Sequence, residues 1–202
     1  WEKGQLIYGP QAPGNVLYLV IEGRVKVSRM VGVPDKPGEL QEVVLEFCHK
    51  DDFFGEAGIF GSGDTGEQAI ALEPSALMQW PAAEVARLIS RTPALGPALL
   101  RVLAQKRVDA GARIESFCLD PIHRRLAKTL LHLARRAGEP NAEGLHHLLP
   151  ITHEQLAHYV GTSREIITQT MTQLRRDHLL KYSRRGIDVD LKGLEKYLAQ
   201  AA

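Results

Sequence analysis

Arg164, Glu165, Thr168 and Gln169 stand close together in the stretch ITHEQLAHYVGTSREIITQTMTQLRR, residues 151–176. Arginine can grip guanine through two parallel hydrogen bonds. Glutamate can accept from cytosine N4, and glutamine can read adenine. At helical spacing these four residues share one polar face. Such a face is more often simply solvated, so the surrounding residues must decide. Leu156, Ala157 and Val160 fall on one side of a short helical pattern at 152–160, and Ile166, Ile167, Met171 and Leu174 on one side of the next. Thr162 or Ser163 suits an N-cap, and Glu165 belongs in the first turn behind it. Gly161 lies where the chain must reverse, and Ala157 is small where two helices would cross closely. Two helices joined by a glycine turn form a helix-turn-helix pattern. With the basic hairpin that follows, this favours a nucleic-acid surface over a solvated one.

The other reactive residues give weaker signals. Cys48 and Cys118 are far apart and lack metal-ligand spacing; buried, reduced thiols are expected. His49 is the single histidine among the first 118 residues, so a metal-binding histidine cluster there is excluded. The glycine-rich loop of residues 61–66 has no lysine after it, and no phosphate-binding loop or nucleophile elbow occurs. No enzymatic activity, metal or cofactor is expected.

The formal net charge is +1, but it is unevenly spread. Residues 1–118 hold 12 Lys and Arg against 15 Asp and Glu, and residues 119–202 hold 13 against 9. A mildly acidic part joined to a basic part suits a sensor attached to a nucleic-acid binder. No run of apolar residues is long enough to span a membrane and no signal peptide is visible, so a cytoplasmic, membrane-free protein is expected. The chain opens at Trp1 rather than at a methionine, so a few preceding residues are expected.

The elements that position these residues can be read in order. LIYG, VLYLVIEG, RVKVSRMV, QEVVLEFC, QAIALE and ALMQW read as short strands. Turns are marked by Gly9-Pro10, Pro13-Gly14, Glu22-Gly23, Pro34-Asp35 and Pro37-Gly38. Closely spaced strands predict a small antiparallel barrel or roll. DDFFGE leads into a short helical turn, and the loop of residues 61–66 is expected to be polar and mobile. Pro81 opens a helix at 82–90, and Pro93 begins a long one at about 94–117 carrying Leu95, Leu99, Val102, Leu103, Val108, Ile114 and Phe117. Its apolar stripe either packs on the roll or forms a dimer seam, which is favoured. Gly111 within it costs about 1 kcal/mol against alanine, which a close helix–helix approach would explain. Asp120-Pro121 reads as an N-cap with proline at the first helical position of a helix at 122–137. Leu126, Leu130, Leu131 and Leu133 form its apolar side. A loop with a short strand at 138–150 precedes the helix-turn-helix. A hairpin wing, LLKYS–RRG–IDVDL, and a helix at 192–200 follow it.

With these residues in view, nearly the whole chain resembles the cyclic-AMP receptor protein and fumarate–nitrate regulator (CRP/FNR) family of bacterial transcription factors. The resemblance rests on YLVIEGRVKV, FFGEAGIF, the long helix, the Leu119-Asp120 hinge and ITHEQLAHYVGTSREIITQTMTQL. It implies an α+β fold: a cyclic-nucleotide-binding-like antiparallel β-roll at 1–92, a dimerisation helix at 93–118 and a winged helix-turn-helix at 119–202. It implies a homodimer that places two recognition helices in major grooves about 34 Å apart on a near-palindromic duplex. Arg164 and Glu165 would contact bases, with Thr168 and Gln169 on the same face. Gln169 stands where the family often has arginine, so one base preference per half-site should differ. Thr152, His153 and Ser163 at helix N-termini, and Arg184 and Arg185 in the wing, would lie against phosphates. Surface loops of such proteins touch RNA polymerase, and residues 139–147 are a candidate for that contact.

The family's cyclic-AMP pocket pairs a Gly-Glu, whose glutamate holds the ribose, with a later Arg-Ser that holds the phosphate. Here Gly55-Glu56-Ala57 is present, but Glu67-Gln68 takes the second place. Like charge would replace a bidentate partner, a loss of about several kcal/mol of binding. Asp109 and Ala110 occupy the helix positions that would otherwise offer hydroxyls to adenine. The resemblance with these departures implies an activator that works without cyclic AMP. The active form would then be held by the protein's own side chains, for example an Arg or Lys salt link to Glu56 or Glu67. Control by cyclic AMP in an unusual pocket, by another small effector or by thiol oxidation is the alternative.

Overall fold

β-Branched residues alternating with polar ones make the first half of the chain a set of antiparallel strands. The computed structural model describes residues 1–9, 15–34, 36–60 and 66–200. The turns expected at Gly9-Pro10, Pro13-Gly14 and Pro34-Asp35 and the loop of residues 61–66 lie wholly or partly outside these residues. The chain divides into two units, Trp1–Asp109 and Ala110–Ala202.

In the first unit, β1 (Leu6–Tyr8), β2 (Val16–Glu22), β3 (Val25–Gly32) and β4 (Leu40–Cys48) lead to β5 (Phe53–Phe54) and a short helix α1 (Glu56–Phe60). β6 (Glu67–Ala71), β7 (Ala76–Pro81) and α2 (Ala82–Arg91) follow. Pairing is antiparallel, in sheets of order β1-β6-β3-β4 and β5-β2-β7. All six expected strands are present. β5 was not expected, because two residues are too few to show alternation. Tyr8, Tyr18, Val20, Val25, Val27, Cys48, Phe54 and Ala69 form the roll's core. Tyr18 stacks on Phe54 at 5.0 Å and on Tyr8 at 5.8 Å between ring centroids. The Tyr8 hydroxyl is buried without a hydrogen-bond partner among the described residues.

The long helix α3 (Leu95–Leu119) starts two residues after Pro93. Its residues 95–109 fall in the first unit and 110–119 in the second. Its apolar residues divide: Leu99, Val102 and Leu103 are half-buried, whereas Leu100, Val108, Ile114 and Leu119 are exposed. A Cβ on Gly111 would meet nothing within 4 Å among the described residues, so the chain itself makes no close approach there.

The second unit continues with α4 (Ile122–Ala137), β8 (Glu139–Pro140) and β9 (His146–Leu148). Next come α5 (His153–Val160), α6 (Arg164–Arg176), β10 (Leu180–Ser183), β11 (Gly186–Val189) and α7 (Leu191–Gln200). The strands form one antiparallel sheet of order β10-β11-β9-β8. Ser183 pairs with Gly186, so the wing turn is the dipeptide Arg184-Arg185 rather than the expected Arg-Arg-Gly. Leu126, Leu130, Leu156, Ile167, Met171, Leu174, Leu180 and Leu194 are fully buried.

Three sequence expectations are corrected. Ile166 was placed inward, but it is 38% exposed, because only Ile167, Met171 and Leu174 fall on the core side of α6. Cys118 was expected to be buried and is exposed, whereas Cys48 is buried in the roll. Asp120 was expected to cap α4, but the cap position is Pro121 and no side chain caps the helix. The Asp120 carboxylate instead accepts from the Ser116 hydroxyl (2.6 Å) and pairs with Lys128 (2.6 Å) and Arg124 (3.4 Å).

Burial works against ionisation of Asp120, but Lys128, Ser116 and Arg124 outweigh it and hold the carboxyl below its ordinary value. A depressed carboxylate stabilises above its unfolded pKa, and that contribution is lost as pH falls through the folded value. Asp120→Asn is therefore expected to lower stability at pH 7 and to differ little from the parent near pH 2, read by urea denaturation at both pH values.

Candidate nucleic-acid interface and effector pocket

The interface begins with two helix N-termini. At α5 the Thr152 hydroxyl oxygen accepts from the Gln155 amide (3.1 Å), and the Gln155 side chain accepts from the Thr152 amide (2.9 Å). This capping box satisfies two orphan donors reciprocally. Ser163, not Thr162, caps α6, accepting from Ile166 N–H. Arg164, Glu165, Thr168 and Gln169 are all exposed on α6. Glu165's own amide and then the Ser163 hydroxyl hold its carboxyl below the ordinary range, so it is an ionised acceptor at neutral pH. Arg184 and Arg185 are exposed at the wing tip.

His153 has partners within the protein. Its Nδ1 lies 2.9 Å from Thr168 Oγ1, and its ring meets Tyr182 edge-on at 5.5 Å. Burial and then the Arg164 charge lower its pKa, so the ring is neutral at pH 7. The Thr168 hydroxyl donates to Arg164 C=O (2.8 Å), so Nδ1 must carry the ring proton. Nε2 then presents a lone pair, which a phosphate oxygen does not engage until the ring gains a proton.

Sequence reasoning missed what holds the turn. Gly161 sits in the left-handed region (φ 73°), and its amide closes α5 on Ala157 C=O. The Phe117 ring covers it closely enough that a Cβ would lie 2.6 Å from the ring. Arg113 and Arg125 flank that ring at 5.4 and 4.6 Å. Arg113 also stacks on Tyr159 at 4.0 Å and donates to its carbonyl (2.6 Å), and Arg125 donates to Val160 C=O (3.0 Å). Two guanidiniums thus meet the negative end of α5. No local pattern announces this set.

In the first unit, Gly55 takes φ 84°, and a Cβ there would lie 2.6 Å from Val16 C=O. Glu56 starts α1 beside the half-buried Ala57. Lys106 of α3 reaches Glu46 (2.7 Å) and Glu56 (3.0 Å) with its side chain only 16% exposed. Burial opposes its charge, but Glu46 and Glu56 more than offset this and raise its pKa. Glu67 pairs with Arg29 at 3.5 Å; burial raises its pKa against that attraction. Gln68 donates to Ser28 Oγ (3.2 Å), and Ser28 donates to Glu42 (2.7 Å). Asp109 accepts from Gln105 on its own helix (2.9 Å), and Ala110 is exposed. The residue of α3 brought to Glu56 is Lys106, which the sequence reading did not single out.

The two units have separate counterparts among known proteins. Residues 1–92 match the family model of the cyclic nucleotide-binding domain, and residues 124–197 that of the Crp-like helix-turn-helix domain. The transcriptional regulator SdrP of Thermus thermophilus is 30% identical over 201 residues, covering 97% of this chain and 91% of that one. A CRP-like cAMP-activated global transcriptional regulator of Mycobacterium tuberculosis is 29% identical over 177 residues, covering 84% and 73%. The crystal structure of TTHA1359, a CRP/FNR-family regulator of Thermus thermophilus, superposes with a TM-score of 0.75 at 28% identity, covering 98% and 96%. The molecule is a helix-turn-helix transcription regulator with a cyclic-nucleotide-binding-type roll. It belongs to the CRP/FNR family.

Proposed function

We propose that this regulator acts as a homodimer on near-palindromic double-stranded DNA and adopts its DNA-binding form without cyclic AMP. It works in the cytoplasm as an activator that touches RNA polymerase through residues 139–147. Among the described residues no helix is long and apolar enough to cross a membrane. Two recognition helices related by a two-fold axis read two half-sites, with Arg164, Glu165 and Gln169 on base edges. Thr152, Ser163, Arg184 and Arg185 set the register against phosphates. The exposed Leu100, Val108 and Ile114 of α3 supply the apolar seam for the second copy.

The observation that carries ligand independence is the Lys106 ion-pair cluster. Glu56 is engaged by Lys106 and Glu67 by Arg29. Glu46 shares Lys106 with Glu56, so three carboxylates of the pocket are engaged in ion pairs. A phosphodiester entering there meets carboxylates and must break ion pairs already formed. The mycobacterial relative is cAMP-activated by name, and that is the competing reading here.

Selection from a random DNA pool with purified protein and no ligand, at physiological salt, is expected to recover a two-fold-symmetric site. Calorimetric titration with cyclic AMP is expected to give no binding heat; micromolar binding overturns ligand independence. Arg164→Ala should weaken the selected complex by about 1–3 kcal/mol and relax one base pair per half-site. Retention of both affinity and selectivity removes Arg164 as a base reader.

A further inference from the structure

Thr168 lies on the face that the DNA-binding reading turns toward the bases, yet its hydroxyl is already engaged. Its one proton goes to Arg164 C=O (2.8 Å). One of its lone pairs faces His153 Nδ1 (2.9 Å), which must be the donor. His153 is itself fixed by the Tyr182 ring. Back-bonding to the preceding turn is common for helical threonines, and Thr170 and Thr172 share it. Thr168 alone among these three adds a contact to a side chain of another helix. Its Cβ rotamer is therefore held from two sides, and the residue is exposed. With the proton committed, the γ-methyl and one remaining lone pair are left for an incoming surface. Arg164, Glu165 and Gln169 around it are polar, so this methyl is an apolar spot within a hydrogen-bonding face.

Thymine alone presents a methyl group in the major groove, and a threonine methyl is a recognised contact for it. We propose that Thr168 is a specificity-determining residue that selects a thymine through its 5-methyl group. His153 acts as a positioning residue that holds the hydroxyl inward and the methyl outward. The proposal rests on the DNA-binding reading above and deepens it.

The test uses full-length protein and the selected duplex, with each thymine replaced in turn by deoxyuridine, which lacks only the methyl. One position per half-site should weaken binding by about three- to fivefold, the loss expected for one buried methyl. Thr168→Val removes the hydroxyl and keeps a methyl; it should bind within about twofold of the parent and retain the uracil penalty. Thr168→Ser removes the methyl; it should bind three- to fivefold more weakly than the parent and be indifferent to uracil, by the same loss. Non-specific duplex binding should be equal for all three and reports folding. If no uracil substitution matters while the selected duplex still binds, the methyl contact is overturned and the DNA-binding reading stands. The same holds if Thr168→Val loses selectivity and Thr168→Ser keeps it, because the hydroxyl then reads the base. Failure to bind any selected duplex overturns both.

Discussion

Lys106→Ala is expected to destabilise the roll by about 2–4 kcal/mol, because it removes the ammonium that the shielded carboxylates of Glu46 and Glu56 share. The upper part of the range for fully buried pairs is not expected, since Glu46 and Glu56 remain 21% and 24% exposed. Both tryptophans, Trp1 and Trp80, lie in the first unit, so their fluorescence during urea unfolding reports this unit alone. The triple variant Lys106→Met, Glu46→Gln, Glu56→Gln should recover much of the loss, because replacing all the charges together avoids stranding any of them. A Lys106→Ala protein as stable as the parent shows that the cluster is only solvated surface charge. The sign with pH is fixed by the raised pKa of Lys106. Its contribution is fully present below the ordinary lysine value and is lost as pH rises through the folded one. The penalty should therefore be flat across neutral pH. In the absence of ligand, the same substitution should also weaken binding to the selected duplex.

Gly161→Ala should destabilise the second unit by about 2–5 kcal/mol, through two separable effects. A side chain at φ 73° costs about 1–2 kcal/mol. The new methyl would also sit 2.6 Å from the Phe117 ring, against which Arg113 and Arg125 both lie. Overpacking of this kind costs about 1–3 kcal/mol. Adding Phe117→Leu should relieve the second effect and leave the first. The double variant should therefore be less destabilised than the sum of the single ones, measured by circular dichroism in urea. Strict additivity would mean that the ring yields freely and does not hold the turn.

What could be read from the chain alone follows from the range of the interactions. Strands β2 to β4 were legible because Val and Ile recur with turn residues between them. The recognition helix was legible because Gly161, Ser163 and the buried Ile167, Met171 and Leu174 are all local signals. Asp120 was misread for the same reason: Asp-Pro imitates a cap, and only the folded chain shows Lys128 and Arg124 taking its carboxylate. Ile166 was misplaced because it lies about 100° around the helix from Ile167, and the buried face of α6 is narrow enough to take only Ile167, Met171 and Leu174. Cys118 was misjudged from residue type alone. Lys106 and the Arg113–Phe117–Arg125 set depend on partners far along the chain. The sequence reading expected a cation on Glu56 or Glu67 but could not say which of many would arrive.

The Lys106 cluster also constrains the paths by which such a pocket can change over generations. Exchanging Glu67 for arginine would place a second guanidinium beside Arg29 and remove the carboxylate that now pairs with it. Exchanging Lys106 first would remove the ammonium that Glu46 and Glu56 share. Each single step toward a phosphate-binding pocket thus passes through a less stable protein, whereas a step that tightens the existing pairs meets no such barrier. The residues of this pocket are therefore expected to change together or not at all.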